Sequence, residues 1–148
     1  MVRMKKVGIV ILLGSLILAV GTCGTLTKNT DSKYLDVNGV VREAFLTDKG
    51  FSAELSKHMT EEVFDKINIF NCYPVNSPEF KKPFKVDFSL REISQKKEND
   101  RVKVEMVYSV MIYDSNNKTV GGSKHVPITL TVEEAGSGWL ITNKEEQA

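Results

Sequence analysis

The hydrophobic period of this chain changes once, at Phe84, and that change constrains the fold more than any other feature. Ahead of it, apolar residues recur every three or four positions, the spacing of one helix face. Beyond it, Phe84, Val86, Phe88 and Leu90 alternate with Lys85, Asp87, Ser89 and Arg91, the spacing of a half-buried antiparallel strand. Helices followed by strands, with no return to the helical period, specify an α+β fold: N-terminal helices packed on the concave face of a curved four-stranded antiparallel sheet.

The helical part reads as three segments. Asp36 caps the first, with Val37, Val40, Val41, Ala44 and Phe45 on one face and Gly50 after its end. Ser52 caps a short second helix whose inward residues are Leu55 and Met59. Thr60 caps a third, where Glu61 and Glu62 complement the positive end and Val63, Phe64, Ile67 and Phe70 form a stripe. Residues 71–83 form a loop, since Pro74, Pro78 and Pro83 lack amide donors. In the strand part, residues 94–100 read as a charged turn. Val102, Val104, Met106, Tyr108, Val110 and Ile112 form the inner face of the second strand, and residues 114–117 a hairpin turn. Gly121 and Gly122 suggest a bulge. Val126, Ile128, Leu130 and Val132 are the inner face of the third strand, where Pro127 favours an edge or a bulge. Trp139 to Thr142 form a short last strand, and residues 143–148 a polar tail.

Residues 1–23 read as a membrane-targeting segment. Arg3, Lys5 and Lys6 precede Val7–Val20, which carries no charge. Fourteen helical residues span about 21 Å, short of a hydrocarbon core of ~30 Å, so the run suits a signal peptide. The uncharged stretch continues to Lys28 and is then long enough for an uncleaved anchor. Cleavage after Gly21, with Ala19 and Gly21 as the small pair, is a third route. Residues 24–32 are a polar tether, and 33–148 a single extracytoplasmic domain. Outside the leader the chain has 17 basic and 19 acidic residues. That balance disfavours nucleic acid as a partner, because phosphate binding needs a cationic surface.

Val20-Gly21-Thr22-Cys23 resembles a bacterial lipobox, with Thr22 standing where that family carries Gly, Ala or Ser. The resemblance implies a diacylglycerol on the Cys23 thiol and a fatty-acylated protein on the outer face of the cell membrane. Three short helices followed by a meander ending in Gly-Ser-Gly-Trp-Leu-Ile-Thr resemble the nuclear transport factor 2-like, cystatin-like cone superfamily over Ser32 to about Asn143. In that superfamily Trp139 would plug the sheet. Enzymes of the superfamily work inside the cone with an Asp, His or Tyr. No carboxylate or histidine falls on the inward phase, where Tyr108 is the one polar tip.

His58 reads as a solvated helix-end residue and His125 as an exposed strand residue. Cys72 reads as a small hydrophobe if Cys23 is acylated, and as a disulfide partner if it is not. No metal-ligand spacing, phosphate loop, dinucleotide fingerprint or nucleophile motif occurs. No catalytic residue, metal ligand or cofactor is therefore expected. The function read from these residues is a non-enzymatic envelope lipoprotein that binds a small apolar ligand or a protein partner. Tyr73, Phe80 and Tyr108 are the candidate binding residues, against the ordinary reading of all three as core packing. The alternatives are a membrane-anchored scaffold of a conjugation or type IV secretion machine, which such superfamily domains also serve, and a cavity isomerase or hydratase. A homodimer of the soluble domain, with the leader kept, would favour the scaffold.

Overall fold

The computed structural model describes residues 33–136 and 138–147. The leader, Cys23 and the tether lie outside them. Within the described residues the chain is α+β: short helices precede an open four-stranded antiparallel sheet of order β1-β2-β3-β4.

The helices are α1 (Asn38–Leu46), α2 (Glu61–Ile67) and α3 (Ile69–Cys72), with a 3-10 turn at Leu55–Lys57 between α1 and α2. The Asp36 carboxylate accepts the Asn38 N–H at 3.3 Å, one position ahead of a conventional cap. Ser52 Oγ accepts the Leu55 N–H and Thr60 Oγ accepts the Val63 N–H. Each thereby satisfies an N–H that has no partner within its helix. Val41, Ala44 and Phe45 of α1 and Val63, Phe64 and Ile67 of α2 are buried.

The expected stripe through Phe70 breaks at Asn68. This side chain is 2% exposed and joins three backbone groups. Its Nδ2 donates to the Ala44 and Thr47 carbonyls, both at 2.8 Å, and its Oδ1 accepts the Phe70 N–H at 3.0 Å. One amide thus closes the end of α1 and starts α3. As a result Ile69 is buried and Phe70 only half-buried.

The strands are β1 (Lys85–Glu98), β2 (Arg101–Tyr113), β3 (Thr119–Ala135) and β4 (Gly138–Glu146). Two are longer than their apolar alternation suggests. The charged stretch from Ser94 onward is strand up to Glu98, leaving a turn at Asn99 and Asp100, and Asn99 takes a positive φ of 58°. The polar tail is strand as well: Asn143, Lys144, Glu145 and Glu146 pair with Thr131, Leu130, Thr129 and Ile128. Backbone pairing extends both strands where side-chain burial no longer marks them.

Val104, Met106, Tyr108, Val110 and Ile112 are buried along the inner face of β2, as the alternation requires. Together with Ile128, Leu130, Val132 and Ile141 they join the buried helical residues in one cluster. The Phe45 ring of α1 lies 5.0 Å from Phe88 and 4.9 Å from Tyr108. Met59 forms a parallel bridge with Ile141, and the Thr60 N–H donates to the Ile141 carbonyl at 3.0 Å.

The bulges flank the two glycines instead of falling on them. Tyr108 pairs with Val126 and Val110 with Ser123, so Lys124 and His125 together face Ser109. His125 takes φ 55° and its N–H donates to Ser109 Oγ. A second shift leaves Val120 between the partners of Ile112 and Tyr113. Gly121 and Gly122 are needed for close approach. A Cβ on Gly121 would lie 2.7 Å from Tyr73 Cδ1, and one on Gly122 would lie 2.6 Å from the Val110 carbonyl and collide with Met111 Sδ. Pro127 sits next to the first bulge. Its carbonyl accepts from Gln147 on the β4 side, so its missing N–H costs the β2–β3 ladder nothing.

The β2–β3 turn is held by Asp114, which is 3% exposed. Its Oδ1 accepts from the Asn116 and Lys118 amides at 2.8 and 2.9 Å, and its Oδ2 from the Lys81 amide at 3.2 Å. Burial opposes its ionisation, but these backbone donors outweigh that and hold the carboxyl below the ordinary aspartate value. Its contribution to stability is complete above the ordinary value and is lost as pH falls through the lowered one. Denaturant melts across acid pH should therefore show an acid-side loss in the wild type that is shallower in Asp114→Asn. Asn68→Ala, which leaves two carbonyls and an amide without their partner, should cost about 2–3 kcal/mol in the same assay.

Candidate functional site

Two of the three sequence-predicted residues share Ser123 as a neighbour. Tyr73 follows α3, and its hydroxyl shares a 2.9 Å hydrogen bond with Ser123 Oγ. Tyr108 rises from the centre of β2 and is 7% exposed. Ser123 opposes Val110 on β3, which puts it on the inward phase. Burial pushes the Tyr108 phenol well above its ordinary value. Glu146, Tyr73 and Cys72 act in the same direction, and the Ser123 hydroxyl opposes them. A phenol so held stays protonated at any physiological pH and serves as a hydrogen-bonding group.

Phe80 is placed differently. It is half-buried, with the Lys118 ammonium 4.7 Å from its ring centroid, and Lys118 also pairs with Glu79 at 2.8 Å. Its contacts belong to the loop beside the Asp114 turn, apart from the Tyr73–Tyr108 pair.

Sequence reasoning missed the charged members of the cluster. Lys144 and Glu146 oppose Leu130 and Ile128, both buried, so the two charged side chains share the inward phase of β4. The Lys144 side chain is only 10% exposed, and its ammonium donates to the carboxylate of Glu146, whose own side chain is 48% exposed. Cys72 lies within their field. Cys72 is exposed, where a small buried hydrophobe was expected; desolvation by its neighbours still raises its thiol above the ordinary value, Lys144 opposes the rise, and Glu146 and Asp65 add to it. Its Sγ donates to the Asp65 carbonyl at 3.6 Å. A thiol shifted upward is a weak nucleophile at neutral pH. Unbroken alternation from Ile141 would set Asn143 and Glu145 inward; the β4 bulge at Thr142 skips one residue, so that Lys144 and Glu146 take the phase of Ile141 instead.

The arrangement is thus a neutral phenol, a second phenol bonded to a hydroxyl, a thiol, and a lysine already balanced by a carboxylate. It can donate and accept hydrogen bonds without presenting a net charge. Among the described residues no group of three or more His, Cys, Asp or Glu could hold a metal ion.

The histidines sit elsewhere. His58 stacks on Trp139 with ring centroids 4.8 Å apart, and its Nδ1 is buried without a hydrogen-bond partner. It is therefore half-buried against an indole, where a solvated residue was expected. Trp139 itself is half-buried, and Ile141 is the β4 residue that fills the core. His125 is exposed at the β3 bulge, and Asp87 is exposed on β1.

Three surface cavities accompany this cluster. One of about 330 Å³ lies where the β1–β2 and β3–β4 turns meet, floored by Leu35, Val102, Val132 and Trp139. One of about 420 Å³ lies on the outer side of the β3 bulge beside Ser109 and His125. The third, about 550 Å³, is bounded by Asn68, Asn76, Lys82 and Phe84. Tyr73, Phe80 and Tyr108 line none of the three.

No protein-family model matches the chain, and no curated protein or solved structure matches it significantly. Among the described residues no helix is long and apolar enough to cross a membrane.

Two outcomes follow from the cluster. In an alkaline absorbance titration, Tyr108 should stay un-ionised until the protein unfolds, so Tyr108→Phe should leave the amplitude before unfolding unchanged. Gly121→Ala should displace the Tyr73 ring, break the bond to Ser123 and cost at least the ~1 kcal/mol of that hydrogen bond in a denaturant melt.

Proposed function

We propose that this protein is a lipid-anchored domain on the outer face of the cell membrane, of the cystatin-like cone type. In this reading α1–α3 form a layer over the inner face of a curved sheet, and the open side of that layer receives a small ligand or a segment of a partner protein. The contacts of Phe45 with Phe88 and Tyr108 support the layering. The observation that carries the binding role is the inward cluster of Tyr73, Ser123 and Tyr108, with Lys144 neutralised beside it. These groups recognise by hydrogen bonding: Tyr108 retains its proton, and the Cys72 thiol is shifted away from the nucleophilic form. A ligand suited to them is uncharged, with an apolar body and a polar end. Phe80, clamped by Lys118, would bound the loop that borders such a ligand.

The anchor rests on the leader: a cationic start, a short uncharged run, and Cys23 at its end. A second reading, a scaffold with an uncleaved anchor, draws on the continuation of the uncharged run to Lys28. Growth with a radiolabelled fatty acid separates the two. The wild-type chain should take up label and Cys23→Ser should lose it. Absence of label in the wild type, with Met1 retained in the membrane-bound protein and the soluble domain dimeric, would instead favour the scaffold form.

A further inference from the structure

The two edges of the sheet are finished differently. At the β4 edge, residues 58–60 close over the strand: the Ile141 N–H donates to the His58 carbonyl at 2.8 Å, and the Ile141 carbonyl accepts from Thr60. At the other end, β1 pairs only with β2. Among the described residues no other element makes a backbone hydrogen bond to 86–92. An open strand edge of this kind is a template for pairing, and proteins usually blunt it with charge.

Here the charges are arranged to fit a second copy. We propose that β1 pairs antiparallel with β1 of another molecule about a two-fold axis at Ser89, joining the two sheets into one. About that axis Asp87 of each chain faces Arg91 of the other, Phe88 faces Leu90, and Val86 faces Glu92. Asp87, Ser89 and Arg91 are exposed and oppose Met111, Ser109 and Val107 on the outer side of β2. Both Asp–Arg pairs therefore form on the outer face, with the small Ser89 between them. Phe88 and Leu90, half-buried in the single chain, meet across the seam on the inner face.

The members of the charged pair are available. Arg91 has no ion-pair partner among the described residues, and Asp87 has only Lys85 at 3.7 Å, with both side chains largely exposed. The register is selective. Moving the axis to Phe88 sets Lys85 against Arg91, a like-charge pair that disfavours association. Moving it to Leu90 sets Asp87 against Ile93, where the register shift between Glu92 and Ser94 interrupts the strand. Ile93, 48% exposed at that irregularity, marks the end of the pairing.

The test uses the full-length protein in mild detergent, with self-association measured by sedimentation over a range of concentrations. Asp87→Arg and Arg91→Asp each place like charges opposite one another twice, and each should weaken association at least about tenfold. The double variant D87R/R91D restores both pairs with their signs exchanged and should return association to the wild-type level. Independently, Ser89→Cys in a Cys72→Ser background should be joined into a dimer by a short bis-maleimide, well above the background chain. A wild type that remains monomeric, a double variant no better than either single one, or a Cys at 89 that links no more than the background would overturn the proposal.

Discussion

Register between β2 and β3 is the constraint on which the rest depends. These central strands supply Val104, Met106, Tyr108, Val110, Ile112, Ile128, Leu130 and Val132, all buried. Side chains alternate with a strict period of two, so a slip of one residue would turn this whole stripe outward. It would expose the apolar set and bring Lys103, Glu105 and Thr129 into its place. Desolvating those charges without partners costs several kcal/mol each. The register is therefore enforced between the bulges of the ladder, and Phe45, Met59 and Phe64 belong to the same buried cluster.

Against that fixed stripe, the bulge at Lys124 and His125 acts as a phase changer. It carries one extra residue, so β3 keeps Val126 inward on one side of it and turns Ser123 inward on the other. Without it, unbroken alternation would direct Lys124 to the interior beside Tyr108. The bulge exchanges an ammonium for a hydroxyl, and the hydroxyl bonds Tyr73. His125 pays for this with a positive φ, and the Ser109 hydroxyl takes up its N–H.

How much of this could be read from the chain follows from the same physics. The period switch at Phe84, the inner face of β2, the caps at Ser52 and Thr60 and the Asp114 turn were legible because each leaves a local mark, in alternation or in a side chain that bonds its own backbone. The outer halves of β1 and β4 were not. Their residues are charged and their strand state comes from a neighbour's backbone, which has no local signature. Asn68 was hidden for a related reason: its partners, Ala44 and Thr47, lie far back in sequence. Of the candidate site, Tyr73 and Tyr108 could be named from an inward aromatic with a polar tip. Ser123, Lys144 and Glu146 could not, because each takes the inward phase only through a bulge that shifts the count by one.

The polar cluster also lies where the apolar stripe runs out. Ile128 and Leu130 are buried, yet their β4 partners are Glu146 and Lys144. A largely covered lysine needs its charge balanced, and the half-exposed carboxylate two residues on does that from the same strand. Replacing both with apolar residues would extend the stripe and close this end of the interior. Retaining a satisfied ion pair there keeps charge near Tyr108, whose phenol feels the Glu146 carboxylate. The β4 bulge at Thr142 is what sets this pair: it shifts the count after Ile141, so that Lys144 and Glu146 take the inward phase, Glu146 at the exposed end of the strand, and Asn143 and Glu145 take the outward one.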